Sequence, residues 1–380
     1  MRFLFKTAYE QDIKLFRDRT SVVWYLVLAL TVLALPAVLS RYYIGEITWV
    51  FIYGICGVSL MVLVGYTGLV SLGHAAFLGI GAYAHAYLVH HGVPWVASVA
   101  IAVAITTACG VIVGLPALRM TGIYLAIATL AFSVIIQEVF TRWEGVTGGF
   151  AGMAVDKPEI FGIRFSNETS FYYLCGATLA LTLLLTQNLL RSPTGRAWIA
   201  IRDSEIAAQS MGVYLPFYKS VAFAYSAGLM GLAGALFAHK IAYLAPDIFS
   251  ILFSIQLLLL VIVGGLGSLQ GAVFGAIFVA LLPPIIAILR DSIPAGMADA
   301  AHATGIGLIG TIGHGIGEFL KKPGVEAGIF GLILVLVILV EPSGMYGRWT
   351  KIKLFFSMFP MYKRDSFKRQ KSYMRSERLR

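Results

Sequence analysis

Apolar runs recur along the chain at 22–39, 47–64, 72–89, 95–115, 121–140, 171–190, 221–237, 251–264, 271–289 and 328–340. Most approach the ~20 residues that an α-helix needs to cross ~30 Å of hydrocarbon. None has the short alternating pattern of a lipid-facing barrel strand. The pattern predicts an all-α fold: a polytopic membrane helical bundle of about ten spans, with both chain ends on one side.

The polar interruptions differ in kind. Residues 2–20 place Phe5, Tyr9, Ile13 and Phe16 along one face, with basic residues mostly off it, as in a helix lying in the membrane interface. The longest polar interruption with a helical signature is 191–219. Pro193, Thr194 and Gly195 there predict a turn. Trp198, Ile201, Glu205, Ala208 and Gly212 then recur at the spacing of one helical face. A short helix starting near Asp203 would carry Asp203 and Glu205 at its positive end and stop at Gly212. Small Ala207 and Ala208 would let a partner approach, so the segment reads as a docking element; a solvated connector is the plainer alternative. Two other long segments, 141–169 and 290–327, are glycine-rich, and the second is expected to be a loop with an interfacial helix.

Charge sets the expected orientation. Charged residues are 13% of the chain, about half the share of a soluble domain, and hydrophobic ones 58%. With the N-terminus inside, 21 of the 29 Lys and Arg fall on the inner side, including a basic tail over 342–380. The positive-inside rule therefore puts 191–219 and both termini in the cytoplasm. The net charge of +10 reflects topology and a headgroup-seeking tail, so no nucleic-acid partner is expected. No small-residue cleavage site follows 22–39, which reads as a retained span. The expected layout is an N-terminal interfacial helix at 1–20, a membrane domain at 21–341 and the tail.

A repeat then changes the picture. Residues 68–79, GLVSLGHAAFLG, match 265–276, GLGSLQGAVFGA, at Gly, Leu, Ser, Leu, Ala and Phe in register. Each copy joins two apolar runs through a glycine-rich break. Paired breaks in two halves of a membrane chain point to a transport pathway, because unwound backbone at depth must line a cavity or be buried in protein. Gly68, Ser71, Gly73 and His74 in one copy, and Gly265, Gly267 and Ser268 in the other, are the pathway candidates. Close helix packing is the alternative role for the glycines. The ionisable groups inside spans are His74, His85 and Glu138, too few for a proton-relay chain. No Lys follows a Gly, so the phosphate-cradling GxxxxGK[ST] loop is absent and ATP would bind elsewhere. Cys56, Cys109 and Cys175 show no metal or disulfide spacing, and no residue set supports enzyme chemistry.

GLVSLGHAAFLGIGAY at 68–83, GLPALRMTGIYLAIATLAF at 114–132, RSPTGRAWIAIRDSEIAAQSMGV at 191–213, GGLGSLQGAVFGA at 264–276 and LVEPSGMYGRW at 339–349 resemble the LivM-type permeases of the branched-chain amino acid ABC importers. The resemblance covers roughly 45–349. It implies that 191–219 carries a form of the EAA coupling motif, here Arg202, Asp203, Glu205, Ala207, Ala208 and Gly212. Ile206 stands between the Glu and the first Ala, relative to the commonest pattern. The segment 295–325 does not match the family core. The implied partners are a homologous second permease subunit, two cytoplasmic ATPase subunits that bind the ATP, and a periplasmic substrate-binding protein. A channel, secondary transporter or ABC permease for urea, short amides or another small neutral solute, and an inert membrane anchor, are the competing readings.

Overall fold

The computed structural model describes residues 19–117, 120, 122–160, 163–165, 167–304, 322 and 324–358. Residues 2–18 of the interfacial helix expected at 2–20, the glycine-rich stretch 305–321 and the tail from 359 lie outside the described residues, while Arg19 and Thr20 begin the first described helix. The long helices are α1 (Arg19–Val38), α2 (Arg41–Leu60), α3 (His74–His90), α4 (Trp95–Ala117), α5 (Ile123–Arg142) and α6 (Glu168–Arg191). Two short helices follow, α7 (Pro193–Asp203) and α8 (Glu205–Ser210), then α9 (Leu215–Ile241), α10 (Ile251–Gly264), α11 (Leu269–Thr304), α12 (Val325–Val340) and α13 (Gly344–Met358). Strands are confined to two small antiparallel pairs among the described residues, β1 (Met153–Ala154) with β4 (Tyr243–Leu244) and β2 (Glu159–Ile160) with β3 (Ile163–Arg164).

Each expected span corresponds to a helix, but the helices are unequal. Six of those described are long and apolar enough to cross a membrane alone, and seven if the pair Gly328–Val340 and Gly344–Phe356, bent by 46°, counts as one. α10 and the apolar part of α1 are shorter, and α3 has only 17 residues. The repeat explains two of these: the breaks delay the start of α3 to His74 and end α10 at Gly264. The helix after the second break runs further than the apolar run. Residues 290–304, the first part of the segment expected to be a loop with an interfacial helix, continue α11 as helix.

α2 and α9 form the centre of the bundle. In each, 78% of the most apolar window is buried, against 22–28% for α4, α5 and α6, which turn most of their apolar surface outward, as lipid-facing helices do. Small residues set the spacing: a Cβ at Gly81 on α3 would stand 2.5 Å from the Gly231 Cα on α9, so the two backbones touch only because Gly81 has no side chain. Van der Waals contact rather than a hydrophobic drive holds such crossings in lipid.

The segments assort to two ends as the alternation of spans requires. At one end, β1 and β4 pair, and Val155 N–H donates to the Ala242 carbonyl. At the other end lie both glycine breaks, α7 and α8, and the α12–α13 turn.

Candidate functional site

The 191–219 segment folds as two helices rather than a turn and one helix. Pro193 takes the first helical position of α7, where its missing N–H costs nothing, so the expected turn is helical from the start. Trp198 and Ile201 of α7 are fully buried, and Trp198 Nε1 donates to the Tyr218 carbonyl at 2.9 Å, which anchors α7 to α9. Ser204 then adopts extended backbone (φ −165°, ψ 116°) and breaks the helix. Its Oγ accepts from Ala207 N–H at 3.3 Å and caps α8, an interaction worth ~1 kcal/mol. Asp203 therefore ends α7, while Glu205 occupies the first turn of α8.

Gly212 ends the second helix. Its φ is +85°, Gly212 N–H donates to the Gln209 carbonyl, and Val213 N–H donates to the Ala208 carbonyl, each at 3.0 Å, the paired bonds of a left-handed helix stop. Ala208 packs inward. Ala207 faces out beside Ile206 and Met211, which are 84% and 86% exposed, and Tyr214 and Phe217 are exposed next to them. Glu205 is fixed from within the chain: its Oε2 lies 2.8 Å from the Nζ of Lys219, a residue 2% exposed at the start of α9.

α2 ends in a π-helical turn, Met61–Tyr66, before the first break. The carbonyls of a last turn have no partner within their helix. Arg202, near the end of α7, uses one: Nη1 donates to the Gly65 carbonyl at 3.1 Å, while Nε and Nη2 both hold Asp203 Oδ1, at 3.1 and 3.0 Å. The positions a Cβ would take at Gly68 and at Gly267 are each 3.2 Å from the Arg202 side chain. The same construction puts Gly65 2.9 Å from Gly267 N, and Gly267 N–H donates to Met61 Sδ at 3.2 Å. The two copies of the repeat thus meet at their breaks, with Arg202 laid across both. Gly68, Gly265 and Gly267 have φ of +73°, +110° and +84°, a region in which any side chain is strained. Behind Gly265, the α12–α13 turn closes in, its Ser343 carbonyl 2.9 Å from where a Cβ would stand.

The matched serines both accept from backbone just after their break, but only Ser268 caps the helix that follows. Ser268 Oγ accepts from Gly271 N–H at 3.0 Å and so caps α11, and Ser71 Oγ accepts from Gly73 N–H at 3.3 Å. His74 is buried beside Ser71, its Nδ1 3.1 Å from Ser71 Oγ and its Nε2 2.9 Å from Ser226 Oγ. Ser226 and Ser59 exchange bonds across α9 and α2, at 2.9 Å from Ser226 Oγ to the Ser59 carbonyl and 2.7 Å in return. Gly73 stands where a Cβ would be 2.8 Å from the Thr129 carbonyl of α5. The structure therefore separates the candidates into a cluster around Arg202 and a buried polar set around His74. Among the described residues no group of three His, Cys, Asp or Glu side chains could hold a metal ion.

Three participants were not singled out from sequence. Lys219 has only a lone charge at the head of an apolar run as its signal, and Ser226 none. His239 lies just past the expected end of a span. At the far end of the bundle His239 Nδ1–H donates to the Asp156 carbonyl at 2.7 Å, so its Nε2 is the acceptor for Trp95 Nε1–H at 2.8 Å. His85 Nε2 is 2.8 Å from the same nitrogen and Ser98 Oγ is 2.8 Å from His85 Nδ1, so His85 is a structural tie between α3, α4 and α9. Glu138, the third ionisable group, is exposed and pairs with Arg142 one turn along α5.

Residues 42–338 match the family described as the permease component of branched-chain amino acid transport systems. The chain belongs to that family. It is 35% identical over 277 residues to the high-affinity branched-chain amino acid transport system permease protein LivM of Salmonella typhimurium, and 36% over 276 residues to that of Escherichia coli K12. Each match takes in 66% of this chain and 65% of the relative, so the chain spans just under two-thirds of the length of these curated relatives. The autoinducer 2 import system permease protein LsrC of Salmonella paratyphi B is 30% identical over 145 residues, 36% of this chain and 39% of that protein. No solved structure matches.

Proposed function

We propose that this chain is the permease subunit of an ATP-binding-cassette importer that moves branched-chain or related small amino acids inward across a bacterial cytoplasmic membrane by alternating access. The observation that carries the reading is Arg202, one side chain in contact with a polar surface segment and with both glycine breaks of the repeat. Family membership supports the transport class, and the names of the Salmonella and Escherichia relatives support the substrate class.

In this reading α7, α8, both breaks and the α12–α13 turn face the cytoplasm, as the excess of Lys and Arg on that side favours. The domain layout is the interfacial helix at 1–20, the membrane domain at 21–341 and the basic tail at 342–380. Two ATPase subunits bind the ATP and receive Ile206, Met211, Tyr214 and Phe217 in a groove. Closure of the ATPases moves α8; the Glu205–Lys219 pair passes that motion to α9, and Arg202 passes it to the breaks. The positive-φ glycines are the hinge points at which spans change tilt. A homologous second permease subunit supplies the other wall of the pathway, and a periplasmic binding protein delivers substrate at the β1–β4 end. The chain itself carries no cofactor and no catalysis.

Reconstitution tests this. The chain alone in liposomes is expected to give no saturable flux, and uptake is expected only with the sister permease, the ATPases, the binding protein and ATP. Saturable, ATP-independent flux through the isolated chain would overturn the proposal in favour of a channel or secondary transporter.

A further inference from the structure

A groove of about 590 Å³ lies between α11, α12 and α13, apart from the cluster around Arg202. Its walls include Phe274 and Phe278 of α11, Leu336 and Val337 of α12, and Trp349 and Ile352 of α13. The volume is within the ~300–1,000 Å³ range of small-molecule sites. The 46° bend between α12 and α13 opens it, and Leu336, Trp349 and Ile352 remain about half exposed along it.

One end of the groove is charged. Glu341 and Arg348 line it, and Glu341 holds Lys351 Nζ at 2.6 Å and Arg348 Nη1 at 3.5 Å. Both cations stay largely exposed, at 69% and 60%, and exposed Lys353 lies on the same helix. Two positive side chains thus face one carboxylate, and the surplus is positive. An arginine fork with spare donors matches a phosphate oxygen pair. Trp349 beside it is the side chain that settles at the level where hydrocarbon meets headgroups.

We propose that this groove holds one acyl chain of an anionic phospholipid, with its phosphate on Arg348 and Lys351. The occupant must be long and apolar along Phe278, Leu336 and Val337 and carry negative charge at the Arg348 end. A neutral lipid leaves the surplus charge unanswered. The site adjoins the second break: a Cβ at Gly344, at the head of α13, would be 2.5 Å from the Gly265 Cα. A bound lipid therefore braces the turn that backs Gly265.

The test uses the full-length chain in phosphatidylcholine vesicles doped with phosphatidylglycerol or phosphatidylcholine brominated on the acyl chains. The signal is the tryptophan quenching lost in a Trp349→Phe variant. Half-maximal quenching is expected at a several-fold lower mole fraction of brominated phosphatidylglycerol than of brominated phosphatidylcholine. Arg348→Gln with Lys351→Gln is expected to erase that preference, Arg348→Lys to keep most of it, and Val337→Phe to reduce quenching by both lipids. Far-UV circular dichroism confirms that each variant is folded. Equal quenching by the two lipids in the wild type would overturn the proposal. So would efficient cross-linking of Val337→Cys to another permease subunit, which would make the groove a protein interface.

Discussion

The Lys219 ammonium is 2% exposed and lies 2.8 Å from Glu205 Oε2, which fastens the short surface helix α8 to the head of the central helix α9. A buried cation with one charged partner is costly to strand, by roughly 3–5 kcal/mol, whereas replacing both members of such a pair by neutral groups is often tolerated. Glu205 is a third exposed, so its carboxylate rehydrates if Lys219 is removed.

Glu205→Gln is therefore expected to lower the thermal unfolding midpoint of the detergent-solubilised chain more than Lys219→Met does. The Glu205→Gln, Lys219→Met double variant is expected to recover much of the loss. Additive losses in the double-mutant cycle would show that the two side chains are uncoupled. The same pair changes how a charge reversal at Glu205 is read, because the damage begins inside this chain, before any partner is met.

Gly267 gives a second expectation. Its φ of +84° strains any L side chain, and the Arg202 guanidinium occupies the space beside it. Gly267→Leu is expected to insert and pair with its sister subunit at wild-type levels yet abolish uptake in the reconstituted importer. Normal uptake would separate the break from the moving pathway.

Arg202 supplies a third. Arg202→Ala removes the bond to the Gly65 carbonyl and the contact with both breaks, while Arg202→Lys keeps the charge but loses the fork. Both are expected to leave basal ATP hydrolysis of the complex intact and to cut uptake per ATP, Ala more than Lys. Uptake per ATP equal to wild type in both would contradict the role given to Arg202.

The spans were legible because hydrophobicity over ~20 residues is a signal that the bilayer itself imposes. The paired breaks were legible as a repeat, since Gly68, Ser71, Gly265 and Ser268 recur in register. What pattern could not give was their meeting. That Gly65, Gly267 and Met61 touch depends on how α2 and α10 pack, and Arg202 joins them from a segment far along the chain. A helix starting near Asp203 and stopping at Gly212 was legible, but α7 was not, because Pro193, Thr194 and Gly195 read as a turn and the spacing of Trp198, Ile201, Glu205 and Ala208 runs straight through Ser204. Only the extended backbone of Ser204, with its side-chain cap, shows the break. Lys219 was passed over because a cation at the head of an apolar run reads as an interfacial flank.

The central claim is that α8 receives the ATPases on Ile206 and Met211 and transmits their closure inward. Substituting these two exposed residues by Asp places charge on the docking face without touching Glu205, Lys219 or the Ser204 cap. Surface changes of this kind alter stability by only about 0.5 kcal/mol. The deciding measurement is substrate-stimulated ATP hydrolysis by the reconstituted complex carrying Ile206→Asp and Met211→Asp. The account predicts that stimulation falls at least about tenfold, as the loss of a docking anchor worth ~1.4 kcal/mol or more implies, while the thermal midpoint of the permease is unchanged. Stimulation equal to wild type would contradict it.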